Sequence, residues 1–270
     1  SFHFEGPGML DRALALVRFL RTSCPWDAEQ TSESLIPYLL EETHEVVDAI
    51  RAGDDDQLEG ELGDLLLNLA FQVVVAEEGG RLDARGVYGR LEAKMIARHP
   101  HVFGGGEARS WESLKADERG SEGGVLDGLA SGLDPLTRSF RIQQRVASVG
   151  FDWDDHGGAR DKVLEEVTEV SDAIATGDVS QIEEEVGDLL FAAVNLARLA
   201  GVHPTNALAR ANQKFQRRFE RVEALASERD IEMQAAGLPA LDRLWDEVKL
   251  TERDGSRPEK GSTFGEGSVE

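Results

Sequence analysis

The chain repeats itself. The segment Leu40-Glu41-Glu42-Thr43-His44-Glu45-Val46-Val47-Asp48-Ala49-Ile50 returns 124 positions later as Leu164-Glu165-Glu166-Val167-Thr168-Glu169-Val170-Ser171-Asp172-Ala173-Ile174. At the same offset Gly53-Asp54 matches Gly177-Asp178, and Glu61-Leu62-Gly63-Asp64-Leu65-Leu66 matches Glu185-Val186-Gly187-Asp188-Leu189-Leu190. An unbroken register over that span implies two homologous modules that fold by the same local rules. Sequence rich in Gly, Ser and acids separates them between Gly120 and Gly132. The expected organisation is a first module over 1–118, a linker over 119–135, a second module over 136–250 and a disordered tail over 251–270. In that tail Gly, Ser, Pro and mixed charge carry no apolar period.

Within each module the period is helical. Leu58, Leu62, Leu65, Leu66, Leu69 and Val73 recur at threes and fours, as do Ile182, Val186, Leu189, Leu190, Ala193 and Leu196. Pro37 suits a first helical turn, Gly53 and Gly177 suit helix C-termini, and Asp54 to Asp56 or Asp178 suit N-caps. Each module is therefore expected to begin with an antiparallel helix pair. Further helices are predicted over Arg81 to Arg98, Pro204 to Arg229 and Pro239 to Leu250, and no convincing alternating strand is found. The predicted class is all-α, with tandem bundles of about four helices per module.

Composition narrows the function. Fifty-two Asp and Glu oppose 29 Lys and Arg, a formal charge of -23, which argues against non-specific binding to nucleic-acid phosphates. The single cysteine, Cys24, has no internal disulfide partner, as suits a reducing compartment. The sequence lacks a run of 18 or more apolar residues, and its first ten residues lack a signal-peptide pattern. A soluble, cytoplasmic protein with no membrane association is expected.

The repeated acids carry the chemistry. Residues three apart share a helix face, so Glu42 with Glu45, and Glu61 with Asp64, form two-carboxylate patches. The second module repeats them as Glu166, Glu169, Glu185 and Asp188. One isolated E-x-x-E is ordinarily a solvated face. Here both copies keep the same acids at the same 19-residue interval between helices. In addition, Asp64 and Asp188 open apolar runs that read as buried, where an unneutralised carboxylate is costly. Four such groups repel unless a cation joins them, and a hard divalent ion, Mg²⁺ with Mn²⁺ as a substitute, suits an all-oxygen set. Glu41, Glu165 and Glu184 stand beside the tetrads as auxiliary acids.

Basic and aromatic residues supply the counterpart for phosphate. Lys94 with Arg98, and Lys214 with Arg218, lie four apart on predicted helices, and Trp111 with Lys115 and Trp245 with Lys249 form another recurring pair four apart, suited to packing on a base or ribose while reaching phosphate. Surface ion pairs and core tryptophans are the ordinary explanations of such residues taken singly. Asn195, seven residues after Asp188, lies on its face and suits a metal water or a phosphate. His44 makes an E-x-x-H that would suit a di-iron bundle, but Thr168 replaces it in the second copy. His44 therefore reads as a surface histidine, and His99 and His101 as structural. Gly104 to Gly106 lacks the ending of a phosphate-binding loop.

The ensemble E-E-x-x-E followed by E-x-x-D resembles the MazG family of all-α nucleoside triphosphate pyrophosphohydrolases. The likeness extends to Cys24-Pro25-Trp26-Asp27, Arg98-His99-Pro100-His101-Val102-Phe103, Trp111-Glu112 through Lys115, Val149-Gly150-Phe151-Asp152-Trp153 and Lys214-Phe215-Gln216-Arg217-Arg218-Phe219, covering Met9 to Leu250. The resemblance implies Mg²⁺-dependent hydrolysis of a nucleoside triphosphate to monophosphate and pyrophosphate in a homodimer, with the carboxy-terminal copy active. House-cleaning of the nucleotide pool and lowering of alarmone levels both fit it. Glu165 or Glu184 is the expected proton acceptor. The rival readings are a non-catalytic acidic helical adaptor and, less favoured, a di-iron carboxylate bundle.

Overall fold

A computed structural model describes residues 8–107 and 124–255. The chain forms two compact units, Ser1–Trp111 and Glu112–Glu270. The expected boundary near 118, together with Trp111 and Lys115, lies outside the described residues. Among the described residues every regular element is a helix, as the period predicts.

The first unit comprises α1 (Met9–Ser23), α2 (Pro25–Glu29), α3 (Ile36–Ala52), α4 (Asp55–Glu78), α5 (Ala84–Arg98) and α6 (Pro100–Phe103). In the second are α7 (Pro135–Ala147), α8 (His156–Thr176), α9 (Val179–Leu199), α10 (Pro204–Glu228), α11 (Met233–Ala236) and α12 (Leu238–Gly255). At the centre of each unit is the repeated hairpin, α3 packed on α4 and α8 packed on α9.

The hairpins turn where the sequence predicts. Gly53 (φ 69°) and Gly177 (φ 75°) end α3 and α8 in the left-handed conformation that a Cβ disfavours. Asp54 then accepts from the Gln57 backbone N–H at 3.0 Å, and Asp178 from Ser180 at 2.9 Å, capping α4 and α9. Pro37 sits in the first turn of α3. Asp83 caps α5 through the Gly86 N–H at 2.7 Å, so this helix starts at Ala84 rather than Arg81.

Three expectations are corrected. Neither unit begins with the hairpin: α1 precedes the first and packs on α4, and α7 precedes the second and packs on α9. The last helix runs past Leu250 to Gly255, so the first residues of the expected disordered tail are helical, and the Thr251 hydroxyl donates to the Glu247 carbonyl one turn back at 3.0 Å; residues 256–270 of that tail lie outside the described residues. The third correction concerns burial. Leu62 and Leu69 on α4, and Val186, Leu190 and Phe191 on α9, are exposed, while Asp64 and Asp188 themselves face solvent. The apolar period continues around a face that no helix within the unit covers.

Each unit has its own core. In the first, Leu14 and Val17 of α1 meet Leu35 and the α4 residues Ala70, Phe71 and Val74. In the second, Val222, Leu225 and Ala226 of α10 meet Leu244 and Val248 of α12. Full burial of each large side chain contributes about 1.5–3 kcal/mol. Among the described residues no single helix is long and apolar enough to cross a membrane.

Candidate metal and phosphate site

The hairpin geometry brings the acids together. Glu42 and Asp64 both stand eleven residues from Gly53, and Glu45 and Glu61 eight; Glu166, Glu169, Glu185 and Asp188 have the same spacings about Gly177. In an antiparallel pair, residues equidistant from the turn lie opposite one another, so the spacing converts two E-x-x-E/D patches into one cluster. In the first unit Glu42, Glu45 and Glu61 each offer an oxygen within 4.8 Å of the others; in the second, Glu166, Glu185 and Asp188 do. The fourth acid borders each trio. Asp64 is the charge that acts most strongly on Glu42, and Glu166 acts most strongly on Glu169.

The electrostatics are those of uncompensated carboxylates. Partial burial, then the charges of Asp64, Glu45, Glu61 and Glu41, hold the Glu42 carboxyl above its ordinary value. Partial burial and then Glu61 raise Glu45. Glu169 is raised chiefly by its hydrogen bond to Glu166, and then by partial desolvation and the Glu166 charge. Each shift favours a proton in the place a cation would otherwise fill.

Glu166 departs from the surface behaviour expected of an acidic helix face, since the residue is only 3% exposed. Its Oε1 receives the Lys162 ammonium at 2.7 Å, and its Oε2 is buried with no hydrogen-bond partner among the described residues. An orphaned buried carboxylate oxygen is costly, and its position beside Glu185 and Asp188 suits a metal ligand. The donor set is entirely oxygen and fits Mg²⁺ or Mn²⁺ better than a softer ion.

Lys162 was not among the residues singled out from sequence. Its Nζ also donates to Glu165 Oε1 at 2.8 Å, and the two carboxylates hold the ammonium well above its ordinary value. The signal was present, since Lys162 precedes Glu166 by one helical turn; Tyr38 occupies the matching position in the first unit, so comparison of the repeats concealed it. Glu184 is exposed on α9 and belongs to neither trio.

The predicted phosphate residues of the second unit form a separate group. Arg218 lies over the Trp245 ring, 5.9 Å from its centroid, and pairs with Glu252 at 2.8 Å. Phe215 packs on the same indole at 5.1 Å, and Lys249 pairs with Asp246 at 2.6 Å. Arg218, Asp246, Lys249 and Leu250 line a depression of about 510 Å³. Lys214 is exposed. No hydrogen bond or ion pair joins this group to Glu166, Glu185 or Asp188 among the described residues. In the first unit Lys94 is exposed and Arg98 half-buried in the last turn of α5.

Asn195 is buried, and its Oδ1 accepts from Arg198 Nε at 2.9 Å and Nη2 at 2.7 Å. Asn68 donates to the Asp64 carbonyl at 3.2 Å, within its own helix. His44 is exposed, and His99 bonds through Nδ1 to the Met95 carbonyl at 2.7 Å, as surface and structural roles require.

Comparison with known proteins identifies the family. The sequence model of the MazG nucleotide pyrophosphohydrolase domain matches the chain twice, over residues 30–103 and 156–223, once around each carboxylate hairpin. A nucleoside triphosphate pyrophosphohydrolase of Escherichia coli K12 is 43% identical over 259 residues, covering 91% of this chain and 98% of that protein. The nucleoside triphosphate pyrophosphohydrolase/pyrophosphatase MazG of Thermotoga maritima is 38% identical over 247 residues, covering 89% and 96%. A nucleoside triphosphate pyrophosphohydrolase of Mycobacterium tuberculosis is 38% identical over 155 residues, covering 54% of this chain and 47% of its own. With two domain matches, two mirrored acid hairpins and near full-length similarity to the Escherichia coli and Thermotoga maritima proteins, the chain belongs to the MazG nucleotide pyrophosphohydrolase family in its two-module form.

Proposed function

We propose that this chain hydrolyses nucleoside triphosphates to the monophosphate and pyrophosphate in a Mg²⁺-dependent reaction at the second hairpin, as a house-cleaning enzyme of the nucleotide pool. The observation that carries the reading is the buried Glu166 carboxylate, with one oxygen unpartnered, converging with Glu185 and Asp188. Those three and Glu169 would hold the ion, which supplies a bound water of lowered pKa and a counter-charge for the phosphate chain. Glu165 beside Glu166, or Glu184 beside Glu185, takes the proton of the attacking water. Lys214, Arg218 and Lys249 bind phosphate oxygens, with Trp245 as their apolar floor.

The active form is a homodimer in this reading. Leu164, Val167 and Ile174 make an exposed stripe along α8, continued on α9 by Val186 and Leu190. Apolar stripes flanking a charged site suit a second copy better than water. Incubating the protein with a panel of triphosphates, in Mg²⁺ and in chelator, and identifying products by chromatography tests the reaction. Monophosphate with pyrophosphate in Mg²⁺ alone is expected; diphosphate with inorganic phosphate, or turnover indifferent to chelator, would overturn it.

A further inference from the structure

Two of the bases assigned to phosphate in the second unit are already met by acids of their own chain. Arg218 on α10 and Lys249 on α12 flank the depression of about 510 Å³, and each touches a carboxylate, Glu252 for Arg218 and Asp246 for Lys249. The Lys249 pair spans three residues of one helix at an exposed position, where such a contact contributes little. The Arg218 pair differs. It joins two helices, and a single oxygen, Glu252 Oε2, accepts from Nε and faces Nη2, both at 2.8 Å.

Nε and Nη2 form an edge of the guanidinium that suits a bidentate grip on phosphate oxygens. One ring face is occupied as well, since Arg218 lies over Trp245. The Arg218 side chain is 21% exposed and that of Glu252 42%, so the carboxylate is the outer partner of the pair. Lys214, one helical turn before Arg218, is exposed with no ion pair among the described residues, and offers an anion its first attachment. Glu252 is also placed where it can leave. Helix α12 is anchored by Leu244 and Val248, which pack with Val222, Leu225 and Ala226 of α10. Leu250, Thr251 and Glu252 lie past that core and are exposed. Rotation of the Glu252 side chain off Arg218 therefore uncovers no buried apolar surface. Nor does the contact between the helices depend on it, because Arg229, just past the end of α10, donates to both oxygens of Glu247 on α12 at 2.9 and 2.6 Å.

From this we infer that Glu252 is a resident competitor for the phosphate-gripping edge of Arg218, and that a polyphosphate takes this site by displacing it. The inference rests on the proposed phosphate role of Arg218 and names what regulates that residue. An acid that merely aligned Arg218 would have the opposite effect, since its loss would weaken anion binding. A competitor's loss strengthens it, because the guanidinium edge is open from the start and one negative charge has gone from beside the anion.

The test uses the full chain with Glu252→Gln, with Glu247→Gln as a control that removes the same charge from the same helix, and with Arg218→Gln alone and combined with Glu252→Gln. Binding of inorganic pyrophosphate in chelator is measured by calorimetry, and KM for a triphosphate in Mg²⁺ by pyrophosphate release. Glu252→Gln should bind pyrophosphate about fivefold more tightly than wild type, the upper end of what a part-exposed ion pair contributes, and should lower KM by the same factor. Glu247→Gln should stay within about twofold of wild type. In the Arg218→Gln background, itself weaker in binding, Glu252→Gln should add nothing, as a pairwise coupling requires. Unchanged or weaker binding in Glu252→Gln, or an equal gain in Glu247→Gln, would overturn the competitor. Pyrophosphate binding absent from every form, or unchanged in Arg218→Gln, would overturn the phosphate role on which it rests. A wild-type chain that releases no pyrophosphate from any triphosphate would overturn the reaction, while the binding measurement still decides the role of Glu252.

Discussion

Replacing Glu166 by Gln separates what the carboxylate does for the fold from what it does for a metal. The substitution keeps the shape of a side chain that is 3% exposed but removes its charge. In chelator the losses and gains nearly cancel: Lys162 keeps Glu165 at 2.8 Å, and a buried charge with an orphaned oxygen disappears. A change within about 1 kcal/mol is expected, because removing a buried charge offsets much of a lost ion pair. For a unit of this size that shifts the melting temperature by roughly 2–4 °C. Adding Mg²⁺ at a hundredfold excess over Kd should stabilise the wild-type site by about 2.7 kcal/mol. The corresponding rise is roughly 5–11 °C. If losing this ligand weakens binding about a hundredfold, the same Mg²⁺ concentration stabilises the variant by only about 0.4 kcal/mol. Turnover should fall about 10³-fold, corresponding to roughly 4 kcal/mol of lost transition-state stabilisation. Differential scanning calorimetry with and without Mg²⁺, alongside pyrophosphate release, reads all of these. A variant whose melting point responds to Mg²⁺ like the wild type, or which keeps a tenth of the turnover, would refute the assignment of Glu166 as a ligand.

Two further outcomes follow from the packing and charges. Glu42 and Glu169 have raised pKa values in the fold, so their contribution favours the folded state below the ordinary carboxylate value of 4.5 and is lost as pH rises through the raised values. Glu42→Gln and Glu169→Gln should therefore melt higher than wild type at pH 7 in chelator and converge with it near pH 4; a gap that widens on acidification would contradict the shifts. Phe71→Ala should destabilise the first unit by about 3–5 kcal/mol, since the ring is buried in a closed core. The transition of the second unit, seen in the same calorimetric scan, should not move, and coupled loss of both would show that the units do not melt separately.

Much of the carboxylate site was legible because both the repeat and the helical period are local properties. The 19-residue interval and the Gly53 and Gly177 turns suffice to bring three acids together in each unit with the fourth bordering them, since residues equidistant from the turn of an antiparallel pair lie opposite one another. The helices before each hairpin were missed, although α7 offers an Asp134-Pro135 start and Leu14 and Val17 of α1 share a face. Attention to the duplicated segment left them outside it. Burial of the α4 and α9 runs was misjudged for a different reason. An apolar period does not by itself say that a face is covered, and Leu62, Leu69 and Leu190 are exposed within their own units. Lys162 was not legible from the repeat because it lies where the copies differ, with Tyr38 at the matching position.

Lys162 also has a consequence for how the protein meets a changing ionic environment. Its ammonium satisfies one oxygen of Glu166 from within the chain, so the second hairpin carries its own understudy for the cation. An ion entering the proposed site would have to compete with a lysine only one turn away. The first hairpin has Tyr38 at the same place, packed edge-on against Trp26 at 6.1 Å, and has no matching ammonium at that position.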